Sequence, residues 1–123
     1  MRQAVVNVGI VGCGRISGHH CRSVIAADAC SLVAVADLEI ERAEVYRDEF
    51  GVAAYADYRR MLDEHPEIDT VVVATPSGMH FEHSMELLEE YRKNVIVEKP
   101  AFMRPSQVID IYRTAVDHGV QVF

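Results

Sequence analysis

The chain has 123 residues, enough for one domain with a single core. Half of the residues are hydrophobic and a quarter are charged, an ordinary balance for a globular protein. The net charge of −7, with no cluster of Lys or Arg, argues against a nucleic-acid or anionic-membrane partner.

Residues 5–11 form an apolar run that stops at two glycines, Gly12 and Gly14, and a helical pattern follows over 15–27. That is strand, tight turn, helix, the opening of a dinucleotide-binding unit. Gly12 frees the turn, and Gly14 leaves no side chain between backbone and a pyrophosphate. The helix would aim its free N–H groups at the phosphates. Ser17 fills the third slot of G-x-G-x-x-G/A, small enough for helix–strand packing but a departure. A ligand-free turn in a parallel α/β sheet reads almost the same way.

Residues 31–36 read as a second strand, closed by Asp37. Residues 39–50 read as a helix with Gly51 at its left-handed stop. A short strand at 52–54 and a short helix at 57–64 follow. Residues 70–74 are continuously apolar, as suits a strand covered on both faces. Ser77 is placed to cap the next helix, with Phe81, Ser84, Met85 and Leu88 on one side. Residues 94–97 read as a fifth strand, and Pro105 suits the first turn of a last helix. Val108, Tyr112, Ala115 and Val116 are expected inward on it, with Gly119 as its stop, and residues 120–123 start a sixth strand.

The alternation predicts a Rossmann-type, doubly wound parallel α/β sheet of about six strands, order 3-2-1-4-5-6, helices on both faces, one domain over 1–123. Ligands of such sheets sit beyond the carboxyl ends of the strands. Gly12–Gly14, Asp37, Ala74–Ser77 and Glu98–Pro100 all fall there. Asp37 can accept adenosine ribose hydroxyls and repel a 2′-phosphate, which favours NAD over NADP, or it can cap the following helix. Arg42 could swing toward such a phosphate. A charged Glu98-Lys99 pair at the end of a buried strand is costly unless used. Lys99 could donate to a nicotinamide ribose or a substrate hydroxyl, with Glu98 holding it; an exposed ion pair is the plainer reading. His80 and His83, three apart on one helix, lack further ligands, so no metal site is expected. Cys13, Cys21 and Cys30 are odd in number, without C-x-x-C, and read as reduced cytoplasmic thiols. No secretory signal or membrane span is expected from the short apolar run after Met1-Arg2-Gln3. The chain stops inside an apolar strand, which reads as an amino-terminal domain cut from a longer protein.

Together, Gly12-Cys13-Gly14-Arg15-Ile16-Ser17, Val35-Ala36-Asp37, Tyr55-Ala56-Asp57-Tyr58, residues 69–80 with Thr75-Pro76, and Val97-Glu98-Lys99-Pro100 resemble the Gfo/Idh/MocA family. These are NAD(P)-dependent sugar and cyclitol oxidoreductases. The resemblance implies that Gly12, Cys13, Gly14, Arg15 and Ile16 line the pyrophosphate. It puts Asp37 on the adenosine ribose, with Arg42 close to the adenine. Thr75, Pro76, Ser77 and His80 would border the adenosine and ribose side. Glu98, Lys99 and Pro100 would serve the nicotinamide half, with Lys99 also at the reacting hydroxyl. The implied cofactor is NAD, with NADP possible. The implied partner of the full-length protein is a sugar-like substrate, in a homo-oligomer whose second domain supplies most substrate contacts. Alone, the chain is expected to bind cofactor without turnover. A non-catalytic dinucleotide-binding regulatory or scaffold module is the alternative; methyltransferase-like nucleotide binding would leave Glu98-Lys99-Pro100 unexplained. Two positions depart from the family pattern. Arg92 stands where a turn usually has glycine, so that turn is expected to differ, and Arg104 stands where a Ser or Thr usually caps the last helix.

Overall fold

A computed structural model describes residues 5–14, 16–99, 101–102 and 104–123, with the side chain of Ser77 set aside. Five strands, β1 (Val6–Val11), β2 (Cys30–Ala36), β3 (Ala53–Tyr55), β4 (Thr70–Val73) and β5 (Asn94–Val97), form one sheet. Its order is β3-β2-β1-β4-β5, and every neighbouring pair is parallel. Five helices connect them: α1 (Ser17–Ala26), α2 (Ile40–Phe50), α3 (Tyr58–Glu64), α4 (His80–Glu89) and α5 (Pro105–His118). A 3₁₀ turn, Ser77–Met79, leads into α4.

The expected sixth strand is only a bridge. Val122 pairs with Val95 in parallel sense, and Val95 N–H donates to the Gln121 carbonyl at 2.9 Å. The segment therefore lies where a sixth strand belongs but is too short to extend the sheet.

The strands are buried on both faces because successive side chains alternate. Val71 and Val73 pack in a cluster with Met61, Leu62, Leu87, Leu88 and Ile111, from α3, α4 and α5. Val72 points the other way, into a cluster with Ile10, Cys21, Ala43 and Tyr46, from β1, α1 and α2. Two helical layers thus sandwich one sheet, the doubly wound arrangement expected from the alternation.

Some boundaries and faces differ from expectation. The α4 helix starts at His80, with Met79 in the cap position; the capping role expected of the Ser77 side chain lies outside the described positions. Its inward residues are His80, Ser84, Leu87 and Leu88, with Phe81 and Met85 only partly buried. On α5, Ile111 and Ala115 are buried, while Val108, Tyr112 and Val116 are exposed, the last at 78%. Apolar residues at 108, 109, 111, 112, 115 and 116 span an arc of about 160° at 3.6 residues per turn, wider than the packed stripe, so spacing alone does not single it out.

Arg92 takes the left-handed conformation that glycine favours, but the turn around it is not the usual one. Its φ is +53°, in the left-handed region, and the next residue, Lys93, donates its N–H to the Leu87 carbonyl at 3.0 Å. That bond reaches back six residues, one more than the return of the usual glycine-ended stop, which Val120 N–H to the Ala115 carbonyl makes after Gly119, so the turn differs as expected. At α5 the missing Ser or Thr cap is offset by Gln107, whose side chain accepts the Arg104 N–H at 3.1 Å. Among the described residues, no helix is long and apolar enough to cross a membrane.

Candidate dinucleotide site

The strand order reverses between β1 and β4, so their carboxyl ends diverge and leave a crevice. The segments leaving β1, β2, β4 and β5 meet at this rim. The chain past each strand is pinned to its neighbour: Gly12 N–H donates to the Ala36 carbonyl at 2.8 Å, Ala74 N–H to Val11 at 2.8 Å, and Glu98 N–H to Val73 at 3.0 Å.

The glycine turn is shaped as its sequence requires. Gly12 has φ +97°, and a Cβ there would stand 2.6 Å from the Ala74 carbonyl carbon and oxygen. Only glycine fits between the two loops. A Cβ on Gly14 would meet nothing within 4 Å, so the space beside it is open for a ligand. Ser17 is fully buried, and its hydroxyl donates to the Gly12 carbonyl. The third-slot departure therefore braces the turn.

Asp37 is fixed by both carboxylate oxygens. Oδ2 accepts the Cys13 N–H at 2.8 Å and Oδ1 accepts the Glu39 N–H at 2.8 Å. The cap position of α2 is Glu39, so Asp37 steadies the approach to the helix rather than capping it. Each oxygen keeps a second lone pair, so a held Asp37 can still accept hydroxyls. Arg42 is exposed and pairs with Glu39 at 2.9 Å.

A cleft of about 680 Å³ opens at this rim. Of the residues expected from sequence, Gly12, Gly14, Asp37, Arg42, Thr75 and Pro76 line it. Its size and mixed lining suit a nucleoside moiety. The donor set fits a dinucleotide: an open glycine cradle beside a helix start, and a fixed carboxylate one strand away.

Other expected residues lie elsewhere. Cys13 is 4% exposed, packed beneath the turn, with its thiol pushed up to about 12 by burial and by the Asp37 charge. Ile16 is 45% exposed. His80 is 1% exposed and outside the cleft walls. Its ring bridges two loops, with Nε2 at 2.6 Å from the Thr75 carbonyl and Nδ1 at 3.2 Å from that of Ala101. Glu98 and Lys99 stand on the same rim but beyond the cleft, toward β5. The Glu98 carboxylate pairs with His20 at 3.0 Å, not with the Lys99 ammonium, and accepts the Lys99 backbone N–H at 3.3 Å. Arg15 and Pro100 fall outside the described residues.

Sequence reasoning missed several contributors. Tyr46, on the face of α2 that also carries Ala43 and Phe50, donates its hydroxyl to the Gly14 carbonyl at 2.6 Å. Tyr58, Arg59 and His83 also line the cleft wall. Thr75 shares a 2.9 Å hydrogen bond with His83 Nδ1, and burial holds that imidazole below its ordinary value, hence neutral near pH 7. Tyr58 donates to Glu86, which Arg59 also grips at 2.8 Å. Despite the upward push of burial, these donors hold the Glu86 carboxyl below the usual range. Only the Tyr-Ala-Asp-Tyr stretch signalled this wall in sequence; the partners come from helix packing.

A family model described as an oxidoreductase family with an NAD-binding Rossmann fold matches residues 6–123. The chain belongs to that family, Gfo/Idh/MocA. It is accordingly a nicotinamide-dinucleotide-binding Rossmann domain. D-glucoside 3-dehydrogenase of Escherichia coli is 28% identical, covering 94% of this chain and 33% of that protein. A scyllo-inositol 2-dehydrogenase (NADP(+)) of Bacillus subtilis is 29% identical, covering 94% and 31%. A Bordetella pertussis dehydrogenase solved with NADH and UDP-GlcNAcA superposes with TM-score 0.88 at 28% identity, covering 97% and 36%. The chain spans about a third of the length of these relatives.

Proposed function

We propose that the chain is the cofactor-binding domain of an oxidoreductase that moves a hydride between NAD(P) and a hydroxyl-bearing carbon of a sugar, sugar derivative or cyclitol. The observation that carries this reading is Asp37 fixed against the Cys13 N–H at the mouth of the cleft. A carboxylate held there takes two ribose hydroxyls without reorganising, which favours NAD over NADP. The sugar or cyclitol substrate is supported by the names of the relatives above.

Nicotinamide, when bound, supplies or accepts the hydride. The chain's own residues bind and orient. Gly12, Cys13 and Gly14 offer backbone beside the start of α1, with Arg15 and Ile16 next in the chain. Thr75, Pro76, Ser77 and His80 shape the loop after β4. Glu98, Lys99 and Pro100 serve the nicotinamide half, and Lys99 is exposed with its ammonium free to donate to a reacting hydroxyl. Such a donor lowers the cost of moving the hydroxyl proton, but the hydroxyl carbon must also be held about 3–3.5 Å from the acceptor. Among the described residues the site offers the cofactor cleft and Lys99, so the chain is expected to bind cofactor without turnover. The free thiols of Cys13, Cys21 and Cys30 support a cytoplasmic protein.

Calorimetric titration of NADH into the chain and into Gly14→Val tests the reading. The added side chain enters open space, so the variant folds, and NADH affinity should fall at least about tenfold. Equal affinity for both chains would overturn the proposal.

A further inference from the structure

We propose that His20 is a positioning residue that sets the nicotinamide half of the site by holding Glu98. The inference rests on the reading that Lys99 serves that half. His20 lies in the first turn of α1, directly after the glycine turn. Glu98 is the first residue past β5, and β4 lies between β5 and β1. The His20 Nε2 to Glu98 Oε1 bond of 3.0 Å therefore crosses the point where strand order reverses. It joins the helix that starts at the phosphate loop to the strand end that carries Lys99.

Strand alternation explains how the two meet. Ile96 packs into the α1 and α2 cluster, and Val97 packs into the opposite one. Two residues on from Ile96, Glu98 returns to the α1 side. Its backbone N–H is already tied to Val73 at 3.0 Å, and its second oxygen accepts the Lys99 N–H at 3.3 Å. Both carboxylate oxygens are engaged, one by α1 and one by the chain just ahead. The Lys99 backbone is thus fixed relative to the phosphate loop, while its side chain stays exposed.

The tie is poorly explained as a stability device. His20 and Glu98 side chains are 26% and 25% exposed, where such a pair contributes little. The α1 helix is already anchored by the fully buried Ser17 and Cys21, and β5 by the fully buried Val95. What the pair adds is a set distance between the two halves of the rim.

The test compares NADH with ADP-ribose, which lacks nicotinamide, by calorimetry on the whole chain. His20→Ala should weaken NADH about fivefold and leave ADP-ribose unchanged. His20→Gln, which keeps an N–H donor, should recover part of the loss. In a Lys99→Ala background, His20→Ala should cost nothing further, because it acts through that lysine. Should His20→Ala unfold, His20→Leu fills the volume without a donor and carries the same comparison. A loss equal for both ligands, no loss for either, or an undiminished loss in the Lys99→Ala background would overturn the inference. A wild-type chain that binds neither ligand would instead sink the cofactor reading, and this inference with it.

Discussion

The carboxylate of Asp37 accepts the backbone N–H of Cys13 at 2.8 Å, tying the end of β2 to the turn that follows β1. One side chain thereby shapes the phosphate loop and presents acceptors to the cleft. The two duties separate by substitution. Asp37→Ala strands the Cys13 and Glu39 N–H groups and should cost about 1–3 kcal/mol in urea unfolding. Asp37→Asn keeps one acceptor oxygen and should recover roughly half of that. Both should weaken NADH about tenfold, because neither offers a charged acceptor pair to the ribose. Full NADH affinity in a folded Asp37→Ala chain would exclude the ribose role.

The two motif glycines should fail in different ways. Gly12→Ala forces a Cβ to within 2.6 Å of the Ala74 backbone at φ +97°, so the loop after β4 must move. A loss of about 2–4 kcal/mol is expected, combining backbone strain with overpacking. Gly14→Ala meets no atom within 4 Å and should unfold within about 0.5 kcal/mol of wild type while binding NADH less tightly. Thermal unfolding of the pair checks this; equal destabilisation would mean the turn is not held as described.

Cys13 and Cys21 should resist alkylation in the folded chain. Burial raises both thiols above the ordinary 9.0, to about 12 and about 11 respectively. At about pH 8 they stay protonated, and iodoacetamide should label the partly exposed Cys30 first. The sign of the linked stability follows. The folded chain holds these protons more tightly, so their contribution is whole below pH 9.0 and is lost as pH rises toward 12. Mass spectrometry of labelled peptides decides; labelling of Cys13 at the rate of Cys30 would contradict its burial.

The legible part of the molecule was what local chemistry dictates. Gly12, Gly14, Asp37 and Glu98 announce strand ends because each is awkward anywhere else, and the alternating apolar runs gave the doubly wound order. What stayed hidden depended on which helix lies opposite. Tyr46 shares a helix face with Ala43 and Phe50 in the sequence, but its reach to the Gly14 carbonyl depends on where α2 packs. His20 was one of two adjacent histidines, and only the placement of β5 two strands from β1 makes it the partner of Glu98. The inward face of α5 is not singled out by spacing, because Val108, Ile109, Tyr112 and Val116 lie beside the packed Ile111 and Ala115 and stay exposed. His80 follows Thr75-Pro76 in the sequence, but that its ring is buried between the Thr75 and Ala101 carbonyls is visible only in the fold.

Arg92 offers a stability gain far from the site. At φ +53° its Cβ is strained, yet the turn to β5 still closes through the Lys93 N–H to Leu87 bond of 3.0 Å. Its side chain is exposed, so little packing is lost by removing it. Glycine relieves the left-handed strain of about 1–2 kcal/mol but adds freedom to the unfolded chain, which returns up to about 1 kcal/mol. Arg92→Gly should therefore stabilise the domain by about 0.5–1 kcal/mol, while Arg92→Val, β-branched in the same conformation, should destabilise it by at least as much. Urea unfolding of the two variants beside wild type gives the answer. NADH affinity should stay constant across all three, because the turn lies at the amino end of β5, opposite the rim. A stability order with valine above glycine would show that the turn abandons the left-handed conformation in solution.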